Sequence, residues 1–147
     1  MGLTAFQRRF YIRTTNFTHG YQGQSERQLG LYRLWAPLYD LSLRIDPGYA
    51  AGIRRMADSV VEDNDTVLDI GCGTGLATIY AAQYAKRVVG IDPSSEMLVI
   101  LRLKIDSQQV TNIDLIEGFF PDALVSSALY DVGLSSFAIV QIEKDKR

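Results

Sequence analysis

Cysteine occurs once in the chain, at Cys72. A single cysteine excludes an intrachain disulfide and a cysteine-based metal cluster, and no metal site is expected. Histidine also occurs once, at His19, ahead of the patterned part of the chain, where it is a poor candidate for a general base. No apolar run is long enough to span a bilayer. Charge of one sign is scarce: the formal net charge is -2 over 147 residues, too small for a strong pull on nucleic acid or an anionic membrane. Internal repeats and low-complexity segments are absent. What remains is an ordinary soluble composition, 47% hydrophobic and 22% charged, in a chain long enough for one domain with a real core.

The first residues stand apart. Arg8, Arg9 and Arg13 are basic, and no acid appears before Glu26. Leu3, Phe6 and Phe10 would share one face of a helix. Two readings fit: a transit peptide, which would place the protein in mitochondria, or an arm folding over a cytoplasmic domain. The second is the expectation, with residues 1–28 as a flexible arm and 29–147 as the domain. Phe6 stands where a myristoylation site needs Ser or Thr.

Residues 29–61 read as a helical cap. Its first part is broken at Pro37. In its second part Tyr49, Ile53, Met56, Ala57 and Val60 recur at helical spacing over Pro47 to Val61. Four strands follow in alternation with helices: Thr66–Ile70, Arg87–Ile91, Asn112–Ile116 and Tyr130–Ser135. Helices are expected from Leu76 to Ala85, after a cap at Ser94, over Pro121 to Ala128 and from Phe137 onward. Leu76, Ile79 and Tyr80 are expected to face inward in the first of these. Such alternation predicts an α/β fold, a Rossmann-like doubly wound sheet that is mostly parallel, with an N-terminal helical cap.

The informative stretch is Val67-Leu68-Asp69-Ile70-Gly71-Cys72-Gly73-Thr74-Gly75-Leu76. A buried strand runs into a glycine-rich turn, and the turn opens a helix. Glycine permits positive φ and lets a ligand come close to the main chain. The helix N-terminus beyond it suits an anionic or carboxylate-bearing ligand. A dinucleotide fingerprint would need its third glycine at position 76, which is Leu76. Twenty-one residues after Gly71, Asp92 closes the second strand. A carboxylate there can accept from both hydroxyls of a ribose. Plainer roles stay open for each residue: Asp69 as a cap of its own loop, Asp92 as a favourable charge before a helix, Tyr39 as core, Cys72 as a small buried side chain.

The pattern Asp69-x-Gly71-x-Gly73-x-Gly75, followed by Gly90-Ile91-Asp92-Pro93-Ser94-Ser95-Glu96-Met97-Leu98, resembles motif I and its sequel in class I S-adenosylmethionine (SAM)-dependent methyltransferases. Trp35-Ala36-Pro37-Leu38-Tyr39-Asp40 is similar to a lead-in segment of the ubiquinone/menaquinone and phospholipid branch. The resemblance implies strand order 3-2-1-4 for the strands present, with the rest of a seven-stranded sheet missing. It implies SAM as cofactor. Asp69 would orient the glycine loop and the methionyl ammonium, Gly71, Gly73 and Gly75 would pass under the methionine and ribose, and Asp92 would hold the ribose. Pro93 and Met97 would lie against adenine or ribose, Tyr39 would close over the cofactor, and Ser135 and Ser136 would lie near the reactive methyl.

One departure stands out. The family often has Gly-Asp after the third strand, the aspartate accepting from the adenine amino group, whereas this chain has Glu117-Gly118-Phe119-Phe120. Phe119 stands in that aspartate's place, where it could stack on adenine but not accept a hydrogen bond, and Glu117 or Asp122 are the candidates to accept instead.

The function implied is methyl transfer to a small-molecule or lipid acceptor by a truncated domain. The alternatives are a non-catalytic SAM-binding or interaction module and, further off, a nicotinamide-dependent oxidoreductase. No residue is assigned as catalytic, since SAM chemistry rests mostly on alignment. The fourth strand is expected to be an exposed edge, open to self-association.

Overall fold

The computed structural model describes residues 6–13, 47–120 and 130–136, with side chains over 48–120 and 130–135. In chain order the elements are β1 (Phe6–Arg13), α1 (Pro47–Val60), β2 (Thr66–Ile70), α2 (Leu76–Ala81), β3 (Arg87–Asp92), α3 (Ser95–Ser107), β4 (Ile113–Glu117) and β5 (Tyr130–Ser136). The strands form one sheet in the order β1-β5-β2-β3-β4, and every pairing is parallel. The four strands expected from the sequence thus stand in the predicted order. The chain moves from β2 outward through β3 to β4, then crosses back to lay β5 on the other side of β2. Such a reversal opens a crevice at the carboxyl ends of the strands, where ligands of open α/β sheets bind.

Two expectations about the edge need correction. The fourth predicted strand, β5, is not an exposed edge: β1 lies along it, in register from Arg9↔Val132 to Arg13↔Ser136. Phe6–Arg13 is therefore a strand and does not continue the helical face suggested by Leu3, Phe6 and Phe10. The physical reason is the open row of N–H and C=O groups on β5, which need partners. Aromatic and β-branched residues such as Phe10, Tyr11 and Ile12 suit a strand at least as well as a helix.

The strands alternate between two buried faces. Val67, Val88, Val132 and Leu134 pack with Ile53, Met56 and Val61 of the α1 region and with Ala77 and Ala81 of α2. Leu68, Ile70, Val89 and Ile91 form the opposite face, with Ile116 and Phe120 against them. Leu98 and Leu101 of α3 pack on Cys72 and Leu115. Leu115 pairs with Gly90, which shares the Val88 side of β3, so all three described helices lie on one face.

Helix α2 is shorter than the predicted Leu76–Ala85 and sits deeper. Its buried residues are Ala77, Thr78 and Ala81, while Leu76, Ile79 and Tyr80 are half-buried. Small side chains let the helix lie close to the sheet. Beyond it the chain tightens into turns, with N–H bonds from Gln83 to Tyr80 and from Tyr84 to Ala81. Asn112 stabilises that exit, its amide donating to the carbonyls of Ala82 and Ala85, each at 2.9 Å.

The predicted helices over 121–128 and from Phe137, the broken helices of residues 29–45, and His19 lie outside the described residues. No helix among the described residues is long and apolar enough to cross a membrane.

Candidate cofactor site

Strand β2 delivers Asp69 near its carboxyl end, and the chain then turns through Gly71, Gly73 and Gly75, at φ 70°, 55° and 87°. The turn is held in place main chain to main chain. The N–H groups of Gly71 and Cys72 both donate to the carbonyl of Ile91, at 2.8 and 3.1 Å, and Gly75 donates back to Cys72 at 2.9 Å. From α3 the Lys104 ammonium donates to the carbonyl of Thr74 at 2.9 Å.

The glycines differ in what they need. A Cβ at Gly75 would collide with the Leu101 side chain, so that position is glycine for packing as well as for its left-handed backbone. A Cβ at Gly73 would meet no atom within 4 Å. No described residue fills the space over Gly73, so among them room is left there for something that is not protein.

Asp92 ends β3 within reach of that space. Its Oδ2 accepts from the Gly73 N–H at 2.8 Å, and its Oδ1 accepts from the Ser94 N–H at 2.9 Å. One carboxylate therefore ties the glycine turn to the start of α3. Each oxygen has a further lone pair to offer, and the residue is 8% exposed. Burial raises its pKa, and the N–H donors of Ser94 and Gly73 oppose the rise. Ser94 caps α3 as predicted, its Oγ accepting from the Met97 N–H at 3.3 Å. Pro93 is half-buried between Asp92 and that cap. Met97 is buried on the first turn of α3.

Asp69 is fully buried. Its Oδ2 accepts from the Thr78 hydroxyl at 2.6 Å, whereas its Oδ1 has no partner among the described residues. Burial lifts its carboxyl from an ordinary 3.8 to about 6, the Thr78 hydroxyl opposing and the charge of Asp92 adding to the rise. A buried acceptor without a donor is costly and marks a place where a donor is wanted. Ser135 shares this condition: it is buried, its Oγ has no partner among the described residues, and it directly follows Leu134, which pairs with Asp69. Cys72 is buried. Burial, then Asp69 and Asp92, push its thiol well above its ordinary 9.0, so it stays protonated.

The structure thus brings Asp69, Gly71, Gly73, Gly75, Asp92, Pro93, Met97 and Ser135 to the carboxyl end of the sheet. Tyr39 lies outside the described residues, and Ser136 is described only as backbone. Two contributors were not foreseen. Thr78 sits on the first turn of α2, and only its hydroxyl in a largely apolar helix could have marked it. Lys104 reads in sequence as a surface lysine near a helix end, with no signal of its bond to the glycine turn. Among the described residues, no group of three or more His, Cys, Asp or Glu could hold a metal ion.

A turn bound to the acid of the neighbouring strand, with open space over its middle glycine, is the geometry that the motif resemblance requires. The family model described as "Methyltransferase domain" matches residues 67–147, more than half of the chain. The chain belongs to the class I SAM-dependent methyltransferases. The cypemycin N-terminal methyltransferase of a Streptomyces species is 34% identical over 114 residues, which is 74% of this chain and 44% of that protein. Among solved structures, a dimethyladenosine transferase from Plasmodium falciparum matches at 28% identity and TM-score 0.53, covering 63% of this chain and 32% of that one. The DhpI–SAH complex matches at 26% identity and TM-score 0.51, covering 63% of this chain and 44% of that one. The methyltransferase domain thus spans less than half the length of each of these relatives.

Proposed function

We propose that this methyltransferase domain binds SAM across the carboxyl ends of β2 and β3 and carries the cofactor half of a methyl-transfer site. The observation that carries this is the 2.8 Å bond from the Gly73 N–H to Asp92 Oδ2, beside a glycine whose Cβ position is empty. The residues fit the cofactor at three points. The unpartnered Oδ1 of Asp69 offers an acceptor for an ammonium, directly or through water. The open space over Gly73 admits the methionyl and ribose atoms against main chain. The remaining lone pairs of Asp92 would accept from ribose hydroxyls.

SAM supplies an activated methyl group on a sulfonium, so the protein's own contribution is alignment and exclusion of water, worth about 7–11 kcal/mol when complete. The family resemblance would put Ser135 near the reacting methyl, and its buried hydroxyl near the end of β5, without a partner among the described residues, is consistent with that role. The acceptor we assign is a small molecule or lipid, on the similarity of Trp35-Ala36-Pro37-Leu38-Tyr39-Asp40 to the quinone and phospholipid branch.

Calorimetry with S-adenosylhomocysteine (SAH) tests the binding. Asp92→Asn should weaken it by about 1–3 kcal/mol through lost ribose acceptors, with the fold checked by circular dichroism. The same substitution should weaken an SAH analogue lacking the 2′-hydroxyl much less. Equal losses for the two ligands would show that Asp92 acts on the loop and not on the ribose, and no heat from a folded sample would remove the SAM assignment. Methyl transfer to lipid extracts, with peptide and RNA as the competing acceptors, tests the acceptor class.

A further inference from the structure

We propose that Phe119 holds the base of the cofactor by stacking alone, so that the site reads the sugar and amino acid closely and the identity of the purine weakly. The proposal rests on the SAM reading and deepens it.

The order of strands sets where the base lies. β2, β3 and β4 are consecutive in the sheet, and a nucleoside held by the glycine turn after β2 and by Asp92 at the end of β3 must extend toward the end of β4. There Glu117 pairs with Asp92, and the Gly118 N–H donates to the Asp92 carbonyl at 3.0 Å. That bond pins the turn, and Phe119 is the next residue along.

Phe119 is 56% exposed. Its neighbour Phe120 packs against the cluster of Leu68, Ile70, Val89 and Ile91, so the core already has an aromatic from this turn and leaves Phe119 unused. A large apolar ring left in water beside a ligand crevice is the informative kind of exposure. Every base offers it a π face.

Among the described residues, the turn after β4 carries no carboxylate for an exocyclic amino group, and Asp122 lies outside them. Asp114 is engaged with Arg87 at 2.6 Å. Glu117 closes β4 level with Asp92, two residues before Phe119, and is the described carboxylate that the test has to separate from it. A hydrogen-bonding site rejects a base with its donor replaced; a stacking face does not.

The test compares SAH with S-inosylhomocysteine, in which a carbonyl replaces the adenine amino group, by calorimetry on the whole chain. The wild type should bind the two within about threefold of each other. Phe119→Ala should weaken both by about tenfold or more, the range seen when a stacking aromatic is removed. Phe119→Asp should restore a preference for SAH of about tenfold, since it supplies the absent acceptor.

A wild-type preference for SAH of about tenfold or more would overturn the proposal, and its loss in Glu117→Gln or in Asp122→Asn would name that residue as the acceptor instead. Unchanged SAH affinity in Phe119→Ala would overturn it as well. If neither ligand binds the folded wild type, the SAM reading falls together with the proposal, which distinguishes that failure from the others.

Discussion

Asp69 should make the protein less stable as the solution is raised from acid to neutral pH, the reverse of the usual behaviour of a carboxylate. Its carboxyl is lifted from 3.8 to about 6 in the folded chain, chiefly by burial. Between those two values the folded state keeps a proton that the unfolded state has released. Stability from this residue is therefore greatest below about pH 4, falls as pH rises towards 6, and is flat beyond. At about 1.4 kcal/mol per pH unit, the full gap comes to about 3 kcal/mol.

Asp69→Asn removes the titration and keeps a carbonyl that can accept from Thr78. Urea unfolding of both proteins, followed by circular dichroism at pH 5 and pH 8, isolates the effect, because most other carboxylates titrate alike in the two. The wild type should lose about 1 kcal/mol relative to the variant between those two values. A relative stability that does not change with pH would refute the claim that Asp69 ionises at a cost in the folded chain. If the variant gains stability at neutral pH while losing SAH affinity, the buried charge is retained for binding at the expense of stability.

Three other outcomes follow from single bonds and contacts. Gly75→Ala should cost about 3 kcal/mol or more in urea unfolding, since its Cβ collides with Leu101 at a positive φ. Gly73→Ala, with nothing near its Cβ, should cost only about 1–2 kcal/mol in stability yet remove most SAH binding; the opposite ranking of the two would show that the space over Gly73 is not the ligand's. Asn112→Ala leaves the carbonyls of Ala82 and Ala85 without their shared donor and should destabilise by about 1–3 kcal/mol, and a change within about 0.5 kcal/mol would mean that water replaces the amide.

Much of this fold was legible because its signals are local. Val67-Leu68 before a glycine turn, Val88-Val89 before Asp92 and the cap at Ser94 each announce an element within a few residues, and β2 appears with the bounds expected of it. The glycine turn and Asp92 were legible for the same reason, as a spacing that the parallel register then turns into a contact. What stayed hidden depends on distant partners. Phe6–Arg13 has no strand signal strong enough to outweigh its helical face, and its pairing with β5 is decided by hydrogen-bonding groups more than a hundred residues away. Thr78 and Lys104 matter only through what the packing of α2 and α3 places beside them. The short reach of α2 was missed because Ala77 and Ala81 carry the buried face, and alanine gives a weak periodic signal.

The pairing of β1 with β5 also bears on how the chain is made. Phe6 emerges from the ribosome long before Tyr130, its partner in the register, and domains begin to assemble from their N-terminal side during synthesis. β1 must therefore wait, with its hydrogen-bonding groups open to chaperones or to a neighbouring nascent chain, until β5 arrives. Closing a sheet between its earliest and latest described strands makes this a high-contact-order step, and protecting β1 during that wait, by slower supply of new chains or by a bound holdase, should raise the yield of folded protein.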